Sequence, residues 1–424
     1  MTCELVFSES KLKYCVRVKI SDGPHETPNF IERGIPFLSV DGIKKGEISL
    51  EKCRFISQED HEKYNEKIKI EENDLLMGKA ASIGKIARVK FNKPISVWSP
   101  LAVIKCDTDI LNPSFLEYFL KSDFIQNQIQ ILATSNTQKN ISMRDIERLK
   151  VLYPNKIEQN IISQYLDNKT QKINYLVEKI EKKIELLKEK RSALINQYVT
   201  KGLNKSILLR DSGVAWIGQI PKHWKLTKIK YLTSFNDEVL DEKTDPNYFF
   251  NYIEVGDVSF DKGINLKEKI SFKSSPSRAR RIVQSKDLII STVRTYLKSI
   301  SIVPDLKDLV CSTGFCVLRS KNKNLLPEYL SYFVKTSGFV HEVVKNSYGV
   351  SYPAINAIEL TQFYLLQPPL DEQKKIVERI SYLDNALTKI IQKNEEKVKL
   401  LNEYLQSLIS SAVIGKIQIT GEMI

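Results

Sequence analysis

Two stretches of the chain place apolar residues at alternating steps of four and three. Ile173, Val177, Ile180, Ile184, Leu187, Arg191, Leu194 and Tyr198 form one seam. Leu387, Ile391, Asn394, Val398, Leu401, Leu405, Leu408 and Ala412 form the other, in the same register 214 positions on. This is a heptad pattern with one polar interruption per helix, Arg191 and Asn394. Pro154 and Pro368-Pro369 precede the seams and Gly202 and Gly415 follow them, as helix starts and stops should. Each predicted helix runs about 45 residues, roughly 65 Å at 1.5 Å per residue. Two matching stripes in one chain are expected to pack on each other, with Arg191 or Asn394 buried to fix register. A whole domain, 203–367, lies between them. That makes antiparallel pairing easy and predicts a dumbbell with a globular domain at either end.

Outside the seams the pattern changes to short β-branched and aromatic runs separated by turn residues. Ile35–Val40, Ile86–Val89 and Val97–Ile104 are predicted strands, as are Tyr248–Val255, Asp287–Val293 and Ser299–Val303. Helices are predicted over 113–132 and 327–345. These runs also repeat. Pro113 and Pro327, the Tyr-Phe pairs beginning at Tyr118 and Tyr332, and Glu158-Gln159 and Glu372-Gln373 all stand 214 positions apart. Asp74-Leu75-Leu76 is echoed by Asp287-Leu288-Ile289, and Pro36-Phe37-Leu38-Ser39-Val40 by Asn251-Tyr252-Ile253-Glu254-Val255. The chain is one unit written twice. The expected fold class is α+β, with two pseudo-repeated globular domains joined by two long antiparallel coiled-coil helices. The expected boundaries are a first domain at 1–153, a helical region at 154–202 and a linker at 203–215. A second domain at 216–367, a second helical region at 368–415 and a tail at 416–424 complete the division.

Composition narrows the function. With 64 Lys and Arg against 51 Asp and Glu, the net charge is +13, which favours a polyanionic partner. No run of eighteen apolar residues exists and the N-terminus lacks a secretory pattern, so a cytoplasmic address is expected. Cys3, Cys15, Cys53 and Cys106 are scattered, and only Cys311 and Cys316 lie close. That spacing builds no zinc site and predicts buried, reduced thiols. A basic, two-headed, pseudo-symmetric chain suits a bipartite site on duplex DNA. The helices would act as a ruler between two unlike half-sites.

Several segments carry a family resemblance. Ser212-Gly213-Val214-Ala215-Trp216-Ile217-Gly218-Gln219-Ile220-Pro221-Lys222-His223-Trp224 and Pro368-Pro369-Leu370-Asp371-Glu372-Gln373-Lys374-Lys375-Ile376 resemble segments of type I restriction–modification specificity subunits. Ser21-Asp22-Gly23-Pro24-His25-Glu26-Thr27-Pro28 and Ser135-Asn136-Thr137-Gln138-Lys139-Asn140-Ile141-Ser142 are similar to patterns of that family as well. The first half departs from it in two places. It begins near Lys11-Leu12-Lys13-Tyr14, which parallels Lys228-Ile229-Lys230-Tyr231, without the Trp-Ile-Gly opening. Its helix is entered through Tyr153-Pro154-Asn155-Lys156, without the double proline. The resemblance implies double-stranded DNA and two methyltransferase subunits docked on the paired helices as partners. Restriction–translocase subunits would join through the methyltransferases. S-adenosylmethionine, ATP and magnesium would belong to those partners, with no cofactor or metal in this chain.

Motifs for catalysis are not found. Met77-Gly78-Lys79-Ala80-Ala81-Ser82-Ile83-Gly84-Lys85-Ile86 places Ile86 where a phosphate-binding loop needs a hydroxyl. Gln367-Pro368-Pro369-Leu370 lacks the amide or acid and the aromatic of an amino-methyltransferase motif. His25 and His223 have no evident acid or nucleophile partner in local spacing. The candidate DNA contacts in the first domain are Lys79, Ser82, Lys85, Gln138, Lys139 and Asn140. In the second they are Arg278, Arg280, Arg281, Arg294, Ser347, Tyr348 and Ser351. Arg278, Arg280 and Arg281 are expected on one loop, holding phosphates and together worth up to about three units of salt slope. Two rival readings are a non-enzymatic basic coiled-coil scaffold and a nuclease with an unrecognised carboxylate site.

Overall fold

The computed structural model describes residues 6–135, 139–321, 323–349 and 352–423. The chain divides into two units. The first comprises Met1–Glu181 and Glu395–Ile424, the second Lys182–Asn394. Each contains a mixed domain and a segment of each long helix, Lys156–Lys201 and Leu370–Val413. The two helices are 46 and 44 residues long. Gly202 and Gly415 end them at φ +74, a left-handed conformation that glycine adopts without a Cβ penalty.

In the first unit an antiparallel sheet orders its strands Ser21–Asp22, Leu101–Ile104, Leu75–Gly78 and Ile86–Arg88. A second sheet places Ile35–Leu38 between Arg54–Ile56 and a parallel partner, Ser96–Val97. The predicted run Val97–Ile104 is thus two strands in different sheets. Ser8–Lys11 pairs with Lys150–Tyr153, tying the domain's start to the strand that leads into the helix. The second unit repeats the plan. Its matching sheet runs Thr233–Phe235, Phe315–Ser320, Leu288–Ser291 and Ile300–Ile302. Phe249–Ile253 lies parallel to Leu309–Ser312, and Lys225–Lys228 pairs with Tyr364–Gln367.

The repetition extends to buried charge. Asp74 and Asp287 each accept a backbone N–H, from Glu71 (2.7 Å) and Gln284 (2.8 Å). Each also pairs closely with a cation, Asp74 with Lys105 just past the strand Leu101–Ile104 at 2.5 Å and Asp287 with Arg319 of the strand Phe315–Ser320 at 2.8 Å. Charges taken out of water persist only when paired and hydrogen-bonded, which accounts for both members recurring.

The helices predicted over 113–132 and 327–345 are each broken once. The segments are Pro113–Lys121 and Asp123–Leu132, then Pro327–Val334 and Ser337–Lys345. At the breaks the Ser122 and Thr336 hydroxyls donate to the Phe119 and Phe333 carbonyls, at 2.6 and 2.7 Å. A short hydroxyl side chain bonding the preceding turn competes with helix continuation.

Each core is shared between domain and helices. In the first unit Phe115 and Phe119 pack in one cluster with Ile162 and Leu166 of the first long helix and Ile409 and Val413 of the second. In the second unit Phe333, Phe339 and Trp224 pack with Val199 of the first helix and Ile376 and Ile380 of the second. Within each unit, then, the start of one helix lies against the end of the other, and the segments are antiparallel. Each such aromatic ring contributes roughly 1.5–3 kcal/mol by burial.

Along the seams, Ile173, Val177, Ile184, Leu387, Ile391 and Leu408 are buried, and Ile180, Leu187, Leu194, Val398, Leu401 and Leu405 are half-buried. The two polar interruptions differ. Arg191 bonds Asp384 of the other helix through two nitrogens and Asp261 of the domain through a third. Asn394 donates to the Ile390 carbonyl of its own helix at 2.7 Å. An asparagine satisfied by its own preceding turn is not a cross-helix register pin.

Candidate nucleic-acid interface

Each unit carries a loop pinned to a hairpin by the same bonds. In the first, the Lys79 N–H donates to the Pro100 carbonyl, and the Lys79 carbonyl accepts from the Ile141 N–H, both at 2.9 Å. Ala80 bridges Asn140. In the second, the Thr292 N–H donates to the Gly314 carbonyl (2.8 Å) and its carbonyl accepts from the Ile355 N–H (2.9 Å). Val293 bridges Ala354. The loops therefore hold equivalent positions while their side chains differ.

The first loop is lightly charged. Lys85 is exposed and Ser82 half-buried. Lys79 is not available as expected, because its Nζ lies 2.6 Å from Asp22 and the side chain is only 14% exposed. Asp22 also takes Lys67 at 2.6 Å. Burial alone would raise its pKa, but the two lysines outweigh that and hold it below the ordinary carboxylate value. The neighbouring hairpin pairs Thr134–Ser135 with Lys139–Asn140, whose Lys139 and Asn140 are exposed. Gln138 lies outside the described residues.

The second loop is richer. Arg294 and Lys298 both take left-handed backbone conformations, φ 49 and 55, around a tight turn containing Tyr296. The Thr295 and Ser347 hydroxyls are 2.8 Å apart, and Ser347 also donates to the Val343 carbonyl. Ser347 is thus spent on holding the loop against the hairpin. Tyr348 is exposed, and the Arg294 guanidinium stands over the ring of the exposed Tyr352, 4.8 Å from its centre. Tyr296, at the end of the candidate segment 291–296, is exposed here, as are Lys298 and Tyr352, which the sequence pattern did not single out. Aromatic residues interleaved with Arg294 and Tyr348 were the available signal. Ser351 lies outside the described residues.

The cluster Arg278, Arg280 and Arg281 is not one loop. Ala279–Val283 is a strand paired with Leu309–Ser312, with a register shift between Ala279 and Arg281. Arg280 is half-buried and lies over Phe272 at 4.9 Å. Arg281 donates to the Thr313 carbonyl, and its buried Nε meets no partner among the described residues. Only Arg278 is exposed.

Both histidines have carboxylate neighbours after all. His25 Nε2 lies 3.4 Å from Asp22 on the surface. His223 meets Glu372 at 2.6 Å, and the same carboxylate accepts from the Trp224 indole N–H at 2.9 Å. Glu372 therefore joins the segment 212–224 to the segment 368–376. The first is a local contact and the second a docking contact, and neither pairs its histidine with a nucleophile among the described residues. Burial pushes the Cys311 and Cys316 thiols up to about 12, which keeps them protonated. Among the described residues no cluster suits a metal ion, and no helix is long and apolar enough to cross a membrane.

Comparison with known proteins agrees with the duplication. The family model described as "Type I restriction modification DNA specificity domain" matches twice, over residues 26–186 and 221–400. The chain is 24% identical over 411 residues to the type I restriction enzyme MjaVIII specificity subunit of Methanocaldococcus jannaschii, covering 92% of this chain and 87% of that one. It is 21% identical over 397 residues to the EcoKI specificity subunit of Escherichia coli K12, covering 90% and 82%. Among solved structures, one described by its work on complex assembly and conformational transition of the type I R-M system superposes with a TM-score of 0.64 at 16% identity, covering 98% of this chain and all of the other. The HsdS subunit from Thermoanaerobacter tengcongensis gives 0.50 at 16% identity, with 97% of each chain covered. These two likenesses concern the fold.

Proposed function

This chain belongs to the type I restriction–modification DNA specificity family, and from that premise we propose that each unit reads one half of an asymmetric, bipartite DNA site. Its place is that of the specificity subunit, which directs modification and restriction without a catalytic centre of its own. The partners that follow are DNA and methyltransferase subunits. In the finer reading two methyltransferase subunits dock on the paired helices and bring restriction–translocase subunits with them. S-adenosylmethionine, ATP and magnesium act on those partners, in the cytoplasm. The separation between half-sites is set by the two long helices.

One observation carries the reading. The same pinned loop and hairpin occur in both units with different side chains, Lys79-Ala80-Ala81-Ser82 in one and Thr292-Val293-Arg294-Thr295 in the other. A constant frame with variable exposed groups is what reading two unlike sequences requires, since base edges are distinguished by side-chain donors and acceptors. Net charge of +13 supplies the sequence-independent attraction.

Selection from randomised duplex DNA, with the chain in complex with its methyltransferase partner, tests the proposal. Two unlike short motifs at one fixed separation are expected. Salt-sensitive binding without any enriched motif would reduce the chain to a basic scaffold.

A further inference from the structure

The two pinned loops share one unusual position. Ala81 in the first and Arg294 in the second both adopt left-handed backbone, φ 60 and 49, although neither is glycine. Both lie immediately beyond the bridge to the hairpin, Ala80–Asn140 and Val293–Ala354. A non-glycine residue there costs on the order of 1 kcal/mol or more, and such strain persists where the surroundings impose it. In both units the bonds to the hairpin impose it. The backbone of this position is therefore kept, while its side chain is a methyl in one unit and a guanidinium in the other.

The guanidinium is prepared for use. Arg294 is exposed, and Tyr352 lies beneath it at 4.8 Å. Arg280 is half-buried against Phe272 and Arg281 is engaged by the Thr313 carbonyl, so neither presents a free planar fork. A guanidinium already held over an aromatic ring loses less rotational freedom on binding, and its fork of N–H groups suits a planar acceptor pair. In the major groove the acceptor pair matching that fork is O6 and N7 of guanine, and this bidentate pairing is the commonest specific contact to a base. Phosphate can take the same fork, and the two outcomes separate by experiment.

We propose that Arg294 is a specificity-determining residue that reads a guanine in the half-site of the second unit, and that position 81/294 is the corresponding slot in both units. It rests on the DNA-reading function proposed above. Tyr352 positions the guanidinium and does not itself read. The methyl of Ala81 makes no hydrogen bond, so the first half-site has no guanine requirement from this slot.

The test compares the full chain and its Arg294→Gly and Arg294→Ala variants, each complexed with the methyltransferase partner, by selection from randomised duplex DNA. Glycine suits the left-handed backbone, so Arg294→Gly removes the side chain without adding strain. The parent is expected to require G·C at one position of one half-site. Both variants should lose that preference alone by roughly 10- to 100-fold, with the other half-site and the separation unchanged. Uniformly weaker binding with every base preference intact would assign Arg294 to phosphate and overturn the proposal, as would an unchanged profile. A parent complex that enriches no motif would instead defeat the DNA-reading function itself, a separate failure. Tyr352→Phe should preserve the guanine preference and Tyr352→Ala weaken it, because only the second removes the ring.

Discussion

Gln159 and Gln373, 214 positions apart and both fully buried, make the same three hydrogen bonds. The Gln159 side chain accepts from the Asn112 N–H (2.7 Å) and donates to the Ile110 and Pro154 carbonyls (3.1 and 2.9 Å). Gln373 accepts from the Leu326 N–H (2.9 Å) and donates to the Asn324 and Pro368 carbonyls (2.8 and 2.9 Å). Each amide ties the first turn of a long helix to the entry of a short domain helix. The side chain supplies donors and an acceptor that backbone groups at these element ends would otherwise lack.

Replacing either glutamine by leucine therefore takes the side-chain partner from one N–H and two carbonyls, of which the Pro154 or Pro368 carbonyl bond is fully buried. Each substitution should cost roughly 1–3 kcal/mol, the penalty for a buried polar group left unpaired. Hydrogen exchange localises the effect. Gln159→Leu should speed exchange of the Asn112 amide and leave Leu326 protected, and Gln373→Leu should do the reverse. Equal protection at both amides in both variants would show that the glutamines are not the ties.

Arg191 and Asp384 test a different break in the symmetry. Their counterparts in the first unit are Leu405 and Thr170, so one unit has an ion pair where the other has none. The pair is mostly shielded, at 18% and 23% side-chain exposure. Removing one partner leaves the other charge poorly compensated, while replacing both need not be costly. Arg191→Leu should destabilise the second unit by about 1–3 kcal/mol. Arg191→Leu with Asp384→Thr, the combination used by the first unit, should recover more than half of that loss in a double-mutant cycle of denaturant unfolding. Additive losses would mean that the two side chains act independently.

The long helices and the duplication were legible because a seven-residue apolar repeat and a constant offset are properties of sequence alone. The mixed domains were legible for the same reason, from period-two runs broken by turn residues. Charge placement was not. Lys79 looked free in its loop, yet its partner Asp22 lies 57 positions upstream, brought close because Ser21–Asp22 pairs with Leu101–Ile104. Arg280 and Arg281 looked like a loop cluster, but the strand Ala279–Val283, in which Arg281 pairs with Cys311, gives their side chains opposite fates. Arg191 and Asn394 occupied matching seam roles, but only Arg191 found a carboxylate across the helix pair. Long-range strand register and the identity of the facing residue decide such cases, and neither is written locally.

Asp22 gives a pH prediction. Its pKa is lower in the folded protein than its ordinary value, so folded Asp22 stays ionised where the unfolded chain has begun to bind a proton. Its stabilisation is fully present above the ordinary carboxylate pKa and is lost as pH falls through the lowered one. Asp22→Asn should accordingly destabilise the fold at neutral pH by on the order of 1 kcal/mol, read as a lower thermal midpoint. The gap from the parent should close on acidification into that window. A gap that stays constant down to low pH would show that the loss comes from packing and not from the contacts with Lys67 and Lys79.

Arg278, Arg280 and Arg281 should no longer contribute equally to DNA affinity. Arg278 is exposed, whereas Arg280 lies against Phe272 and Arg281 bonds the Thr313 carbonyl. A cation releases a counterion only if it reaches a phosphate, and each phosphate contact is worth close to one unit in the slope of log affinity against log salt. Arg278→Ala should flatten that slope by about one unit without changing base preference. Arg281→Ala should leave the slope unchanged. Its effect should fall on stability, since removal takes away both the bond to Thr313 and the burial of an Nε that has no partner among the described residues. Titration at several salt concentrations, on one cognate and one unrelated duplex, separates these outcomes. A loss of about three units on replacing all three would restore the reading of a single phosphate-holding cluster, and an unchanged slope for Arg278→Ala would remove this edge of the second unit from the interface.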